Sequence, residues 1–577
     1  ITPSLANIAV LNITSTDPGP TTLDASNITG ATAFNSVNSA QNLSVTNVGA
    51  VANMGVTNSA NNLSVTFKDS ALSGSADAAT LTVNNATGGV TIATAAATNG
   101  LETLTINSTG AKSKLTGLTL TNMTSLATLK ITGDQDLEVT AALDNQITAI
   151  DASAMTAGVK LTTGAPTAIT YTGGSGGDNI TFGNTNVTAT GGAGDDRFAF
   201  AAGQFNSSDS VNGGAGTNTL AIGDAALATA TALATAVQAA QNFSVLEFTH
   251  AAPAVDNDAA GTIGSFVYSN ATAAPTITNV KNTDTFALTG ATPGAVAMSS
   301  KSVSSLSDVA TITIGGKTTG STVTSITLNG TATQEIENLN LATTGGACTV
   351  TTLTGVDGGT ITLTGTKDLT ITALASAATV NASGLGGKLT LTCTNNKVQT
   401  ITGSPQNDTI NGGPGADTIN GGAGDDKLIV ADAAQADTLT GGAGADKFQF
   451  TAATLADLCH RSAGTTAIVK ITDFVSGTDK IELTDGAGAF TSITLAAPQT
   501  IATAADLTAV YAGITPIPAS VQGGAASGVV VTVSAGAAAG TYLYINDATA
   551  AVSNADDMLI NITGITGTLA TTDFILD

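Results

Sequence analysis

Apolar residues alternate with Thr, Ser and Asn along most of this chain, as in Leu43/Val45, Leu63/Val65, Leu104/Ile106, Leu118/Leu120, Leu129/Ile131, Ile361/Leu363, Leu369/Ile371 and Leu389/Leu391. A period of two places one set of side chains inside and the other outside a β-strand, and clusters of Asn, Gly, Ser and Asp between the runs mark turns. The segment NSAQNLSVT starting at Asn38 returns almost unchanged as NSANNLSVT starting at Asn58. One strand and turn per such interval is the unit of a β-solenoid, in which each rung buries its apolar face only by stacking on its neighbours. The pattern predicts an all-β chain built as a parallel β-solenoid or β-roll.

A longer repeat lies over the short one. IDAS at Ile150 and VNAS at Val380, Asp178 and Asp408, and GGAGDD at Gly191 and Gly421 all share one offset. LETLTI at Leu101 matches IENLNL at Ile336 at an offset only slightly longer, as small insertions between copies would produce. Two tandem modules follow, each a β-rich stack ending in a glycine-aspartate array. The expected divisions are a first β-rich module over 1–172, a first array over 173–222, a linker helix and second β-rich module over 223–402, a second array over 403–450, and a C-terminal β domain over 451–577. The Ala-rich run from Asp224 to Asn242 is free of Gly and Pro and predicts a helix, with a second short one over Thr503–Ala512. Both are expected to be spacers or caps.

Composition changes this picture in three ways. The 577 residues contain no Trp, 3% aromatics and 10% charged side chains, so the core is built from small and β-branched residues. Such residues suit closely stacked strands, whereas a disordered chain lacks regular apolar alternation. The net charge of −25, with 17 Lys and Arg in all, repels polyanions and argues against a nucleic-acid partner. No apolar run of about 18 residues is present to span a bilayer as a helix. The sequence opens at Ile1 without a basic stretch or an apolar signal segment, so either earlier native residues are missing or export uses no N-terminal signal. Cys348, Cys393 and Cys459 fit no zinc spacing. They leave open a Cys348–Cys393 bridge across neighbouring rungs or simply buried thiols.

The strongest chemical signal is the nonapeptide G-G-x-G-x-D-x-U-x, with U apolar. The first array reads GGSGGDNIT (Gly173, Gly174, Gly176, Asp178), GGAGDDRFA (Gly191, Gly192, Gly194, Asp196) and GGAGTNTLA from Gly213. The second reads GSPQNDTIN (Asp408), GGPGADTIN (Gly412, Gly413, Gly415, Asp417), GGAGDDKLI (Gly421, Gly422, Gly424, Asp426), DAAQADTLT (Asp437) and GGAGADKFQ (Gly441, Gly442, Gly444, Asp446). Glycine permits tight turns with positive φ and bare carbonyls, Asp adds a hard anionic oxygen, and U points inward. Ca²⁺ takes six to eight such oxygens.

Since one nonapeptide makes half a turn, carboxylates two nonapeptides apart stack, as Asp178 with Asp196 and Asp408 with Asp426. With loops allowed, Asp417 pairs with Asp437 and Asp426 with Asp446. The first array is poorer, with Val187 and Asn218 at acidic positions, although Asp209 restores a carboxylate. A single nonapeptide would read as an ordinary Gly-Asp turn. Consecutive rows in register, twice, with Ile180, Phe198, Ile410, Ile419, Leu428, Leu439 and Phe448 at U, point to bound calcium.

In these arrays the chain resembles the repeats-in-toxin family. IVKITDFVSGTDKIEL, Ile468–Leu483, is similar to the segment that follows such arrays, and TYLYINDATA from Thr541 and the ending TTDFILD resemble the family's tail. The resemblance implies type I export through an uncleaved C-terminal signal, with Asp573, Phe574, Ile575 and Leu576 in it. The Thr-, Ala- and Asn-rich strands with LETL, IENL and VLEF phrases resemble the Caulobacter-type S-layer proteins. That likeness implies a secreted cell-surface lattice subunit. Its partners would be copies of itself, the type I apparatus, and envelope polysaccharide held through a region outside this sequence. A calcium-stiffened adhesin or surface filament is the alternative, and it would call for a separate ligand-binding domain.

The residues of an enzyme are not legible. His250 and His460 stand in THAAP and LCHRS rather than H-E-x-x-H. GGSGG at Gly173 fits a lipase elbow loosely but belongs to the nonapeptide frame. Cys459 and His460 are adjacent in sequence and point apart on a strand. The aromatics that a glycosidase would use for sugar stacking are scarce. No catalytic residue is assigned.

Overall fold

The computed structural model describes residues 1–577 except 17, 98, 184–185, 224–232, 235–236, 239, 251–254, 271–273, 301–307, 317, 329–335, 377, 431–435, 452–467, 485–490, 522–524, 548–550, 555–556 and 577. Two compact units divide it, Ile1–Val267 and Tyr268–Asp577. Each is a parallel β-solenoid.

In the first unit the short repeat is one rung of the stack. Leu43 lies beside Leu63, Ser44 beside Ser64 and Val45 beside Val65, while Val90 and Ile92 add the next layer. Leu, Val and Ile of these strands are fully buried and the intervening Ser and Thr face outward, so the period-two pattern sets which side is core. Corners are turned by asparagines in the left-handed region, among them Asn38 (φ 50°), Asn58 (φ 49°) and Asn85 (φ 50°). Asn tolerates this conformation because its short polar side chain bonds locally. Here the amide also ties rungs together, Asn85 Nδ2 donating to Asn58 Oδ1 at 3.1 Å.

The long repeat is a repeat of hydrogen bonds. Ser153 N–H donates to Asp151 Oδ1 and Ser383 N–H to Asn381 Oδ1, both at 3.1 Å, each at a register shift in its strand pair. Val159 N–H donates to Asp178 Oδ1 at 2.8 Å and Leu389 N–H to Asp408 Oδ1 at 2.6 Å. The looser LETL and IENL match is structural too. Glu102 accepts from Asp77 N–H at 2.6 Å, and Glu337 from Asp308 N–H at 2.9 Å.

The second unit ends differently from its stack. Ala525–Val533 pairs antiparallel with Gly540–Ile545, which pairs antiparallel with Met558–Asn561. Tyr511, Val529, Val531, Tyr544 and Leu559 form its buried core. The predicted second helix is present as Leu507–Gly513, capped by Asp506, whose Oδ1 accepts from Ala509 N–H at 2.9 Å. The segment Phe574–Leu576 is a strand lying parallel to Ile481–Leu483.

Three expectations need adjustment or fall elsewhere. Most of the helix expected over Asp224–Asn242 lies outside the described residues; Leu233 and Ala234 are helical, but Ala240–Gln241 is a strand beside Val211 and Asn212. The chain has to rejoin the sheet there, and the ladder overrides Ala propensity. Cys348 and Cys393 are separate buried thiols, because the strand Leu369–Leu374 runs between theirs. Cys459 and His460 lie outside the described residues.

Candidate metal centre

Each array turn begins where a strand of the solenoid ends, and the U residue anchors it. Ile180, Phe198, Ile410, Ile419, Leu428, Leu439 and Phe448 are all buried in the stack. Anchoring one residue in the core fixes the Asp two positions before it at the inner edge of the turn.

The aspartates form ladders. Asp178 N–H donates to Asp196 Oδ1 at 2.7 Å, and Asp196 N–H to Asn218 Oδ1 at 2.9 Å. In the second array Asp408 N–H donates to Asp426 Oδ1 (2.8 Å), and Asp426 N–H to Asp446 Oδ1 (2.9 Å). On the other edge Gln399 N–H donates to Asp417 Oδ1 (2.7 Å), and Asp417 N–H to Asp437 Oδ1 (2.9 Å). Val187, at an acidic position, gives its N–H to Asp209 Oδ1 at 2.8 Å. One carboxylate oxygen of every ladder member is thus consumed by the next backbone, which fixes where the other points.

That second oxygen divides the set. Tyr171 OH donates to Asp178 Oδ2 at 2.6 Å, and Ser404 holds both oxygens of Asp408. The oxygens Asp196 Oδ2, Asp417 Oδ2 and Asp426 Oδ2 are buried without a hydrogen-bond partner. An ionised carboxylate oxygen in that state is costly, and a bound cation is the ordinary remedy. The first row of each array is therefore satisfied by protein groups, and the later rows hold the orphaned oxygens.

Glycine makes room beside them. A Cβ on Gly191 would overlap Asp196 Oδ2 and the Gly213 carbonyl, and one on Gly421 would overlap Asp426 Oδ2 and the Gly441 carbonyl. The following Gly192 and Gly194 adopt φ of 99° and 98°, a region closed to most L-residues. Carboxylate and carbonyl oxygens converge on space that any side chain would fill.

The electrostatics favour a cation at these oxygens. Burial raises Asp196, Asp417 and Asp426 to about 7, with Asp178 and Asp195 adding to the rise at Asp196, Asp437 at Asp417, and Asp408, Asp446 and Asp425 at Asp426. Burial likewise lifts Asp178 and Asp446 to about 6 and raises Asp408 and Asp209. A divalent cation reverses this by favouring the ionised form. Among the described residues no three His, Cys, Asp or Glu side chains converge. The donor set is paired carboxylates and many carbonyls, hard oxygens that suit Ca²⁺ rather than Zn²⁺.

Two ladder residues escaped the sequence reading. Asp479 Oδ1 accepts from Asp446 N–H at 3.0 Å, continuing the column, and its Oδ2 accepts from Val475 N–H at 2.7 Å. Asp473 accepts from Gly441 N–H (2.9 Å) and Gly442 N–H (2.8 Å). The D-x-x-x-G-x-D spacing of Asp473, Gly477 and Asp479 was visible, but it lacks the double glycine.

Residues 395–428 and 430–449 match the family described as RTX calcium-binding nonapeptide repeat (4 copies). None of the curated proteins matches the chain. The second array is thus a calcium-binding repeat by sequence, and the first array shares its ladder geometry. Proteins with these repeats are typically secreted, and no described helix is long and apolar enough to cross a membrane.

Proposed function

We propose that this chain is a non-enzymatic structural subunit that assembles, with calcium, into a two-dimensional S-layer lattice on the outer surface of a bacterial cell. The observation that carries the proposal is the pair of carboxylate ladders with orphaned buried oxygens at Asp196, Asp417 and Asp426. Calcium bound there supplies the charge that the fold lacks. Asp196, Asp417 and Asp426 present the anionic oxygens, the turn carbonyls complete the shell, and the glycines keep the space open.

Without the cation, like charges crowd together and the Gly-rich turns lose much backbone entropy on ordering, so both effects oppose a rigid array. Binding to the folded state stabilises it by mass action, by about 2.7 kcal/mol per site at a hundredfold excess over Kd. Extracellular calcium is high enough to order such turns and cytosolic calcium is not. A loose chain inside the cell and a stiff, assembling one outside follow from that difference. The strongly acidic balance, −25, leaves further carboxylates for calcium bridges between copies.

Light scattering and circular dichroism across a calcium titration, followed by electron microscopy of the loaded protein, test this reading. The expected result is a gain of β signal and growth of ordered sheets, both reversed by chelator and both weakened in the D408A/D426A double variant. A β signal and a monomeric state indifferent to calcium would overturn it, and filaments or calcium-loaded monomers would replace the lattice by the adhesin alternative.

A further inference from the structure

One sheet face of the second unit carries a pattern that calcium binding does not use. On the strands Thr322–Leu328, Cys348–Thr354, Leu369–Leu374 and Leu389–Cys393, the outward positions are Thr322 and Thr324, Thr349 and Thr351, Thr370 and Thr372, and Thr390 and Thr392. Thr409 continues the first rank on the next strand. Cross-strand register sets Thr322 beside Thr349, Thr349 beside Thr370, Thr370 beside Thr390 and Thr390 beside Thr409. The length of chain from one threonine of that rank to the next shortens at every step. The threonines stay in column all the same.

Strand propensity alone does not ask for this. Val, Ile or Tyr would serve the strand as well, and a charged residue would serve solubility. The inward neighbours vary freely among Val323, Val350, Ile371, Leu391 and Ile410. The first rank instead holds only Thr until Lys427 takes over the column beside Thr409, and the second holds only Thr until Asn411 follows beside Thr392. Among the described residues none of the eight paired-rank hydroxyls makes a hydrogen bond within the chain, whereas corner threonines such as Thr343 and Thr394 bond to carbonyls of neighbouring turns. A chain of net charge −25 thus presents an uncharged grid of free hydroxyls and methyls.

The grid has two repeats, about 4.8 Å between rungs and about 6.7 Å between Thr positions two apart on a strand. Oxygen rows on the prism face of hexagonal ice recur at close to both distances. Hydroxyls in such a grid hold water at lattice positions, the methyls between them fix its orientation, and the lack of charge avoids a competing hydration shell. A sugar would ask for aromatic faces, and this face has none. Its area, about 20 Å by about 10 Å, falls well short of the roughly 800 Å² per partner of a stable protein interface. We propose that this double rank of threonines is an ice-binding face.

Growth of a single ice crystal in calcium-containing buffer with the purified full chain tests the proposal. Faceted crystals, a freezing point held below the melting point, and slowed recrystallisation are expected. The T370K/T390K double variant should lose all three while keeping its circular dichroism and calcium midpoint, and N340K, at an exposed position of the strand Asn338–Thr343 on the other sheet of the same unit, should retain them. If the double variant does not fold, T372K at the exposed second rank gives the same reading. Rounded crystals growing as in buffer with the parent, or full activity in the rank variants, would overturn it.

Discussion

Asp196, Asp417 and Asp426 show how one atom decides the chemistry of a turn. Oδ1 is spent on a backbone N–H of the neighbouring rung, and Oδ2 is left buried and unpartnered. Folding without metal raises these carboxyls to about 7 from an ordinary value near 3.8, chiefly by desolvation. The metal-free folded state therefore binds more protons than the unfolded chain between those values. The stability that protonation gives is full below about 4 and is lost as pH rises through about 7. In chelator, the urea midpoint is expected to be higher at pH 5 than at pH 7.5. With saturating calcium the order should invert, since protons and the cation compete for the same oxygens. Equal midpoints at the two pH values in chelator would contradict the orphaned geometry.

The unit of stability at the scale of elements is the stacked rung. Phe448 is fully buried between Leu428 and Ile481 on the neighbouring strands, and it anchors the turn bearing Asp446. Truncating Phe448 to Ala removes packing on both sides and is expected to cost about 3–5 kcal/mol. Because the turn hangs from that anchor, calcium affinity should fall with stability, which calorimetric titration of the variant checks. Loss of stability with unchanged affinity would show the turn to be held independently of its core residue. The strands Thr418–Ala423 and Thr438–Ala443 extend into their Gly-rich turns, so ladder and metal site share one backbone there.

The chain's end bears on the whole molecule. Phe574–Leu576 completes the edge of Lys480–Thr484, with Asp573 accepting from Gly477 N–H at 2.8 Å and Ser476 Oγ at 2.8 Å. The resemblance of the same residues to a type I export signal implies a segment read unfolded, whereas in the folded chain these residues close a sheet edge. Deleting everything after Leu483 is expected to hold the protein inside the cell and to expose that edge. Immunoblots of cell and medium fractions separate the outcomes, and normal export of the truncation would refute the signal.

The alternation of apolar and Thr or Ser residues determined the strands and their inner faces, because a period of two leaves one consistent way to bury Leu43, Val45, Leu63 and Val65. The nonapeptide spacing likewise determined which aspartates stack, since a half-turn of fixed length sets Asp408 under Asp426. Insertions did not obscure the pairs Asp417 with Asp437 and Asp426 with Asp446, because the strands on either side of the longer connection stay in register. Only the tertiary structure decided which oxygens are free. Tyr171 and Ser404 reach the first-row carboxylates from positions with no metal-site signal of their own, and Asp473 and Asp479 join the column across a long insertion. The antiparallel strands Ala525–Val533, Gly540–Ile545 and Met558–Asn561 were equally illegible, since alternation reports a buried face but not the direction of the neighbouring strand. Periodicity is a local property that folding must respect, while hydrogen-bond partners and strand direction are settled by which distant segments arrive beside it.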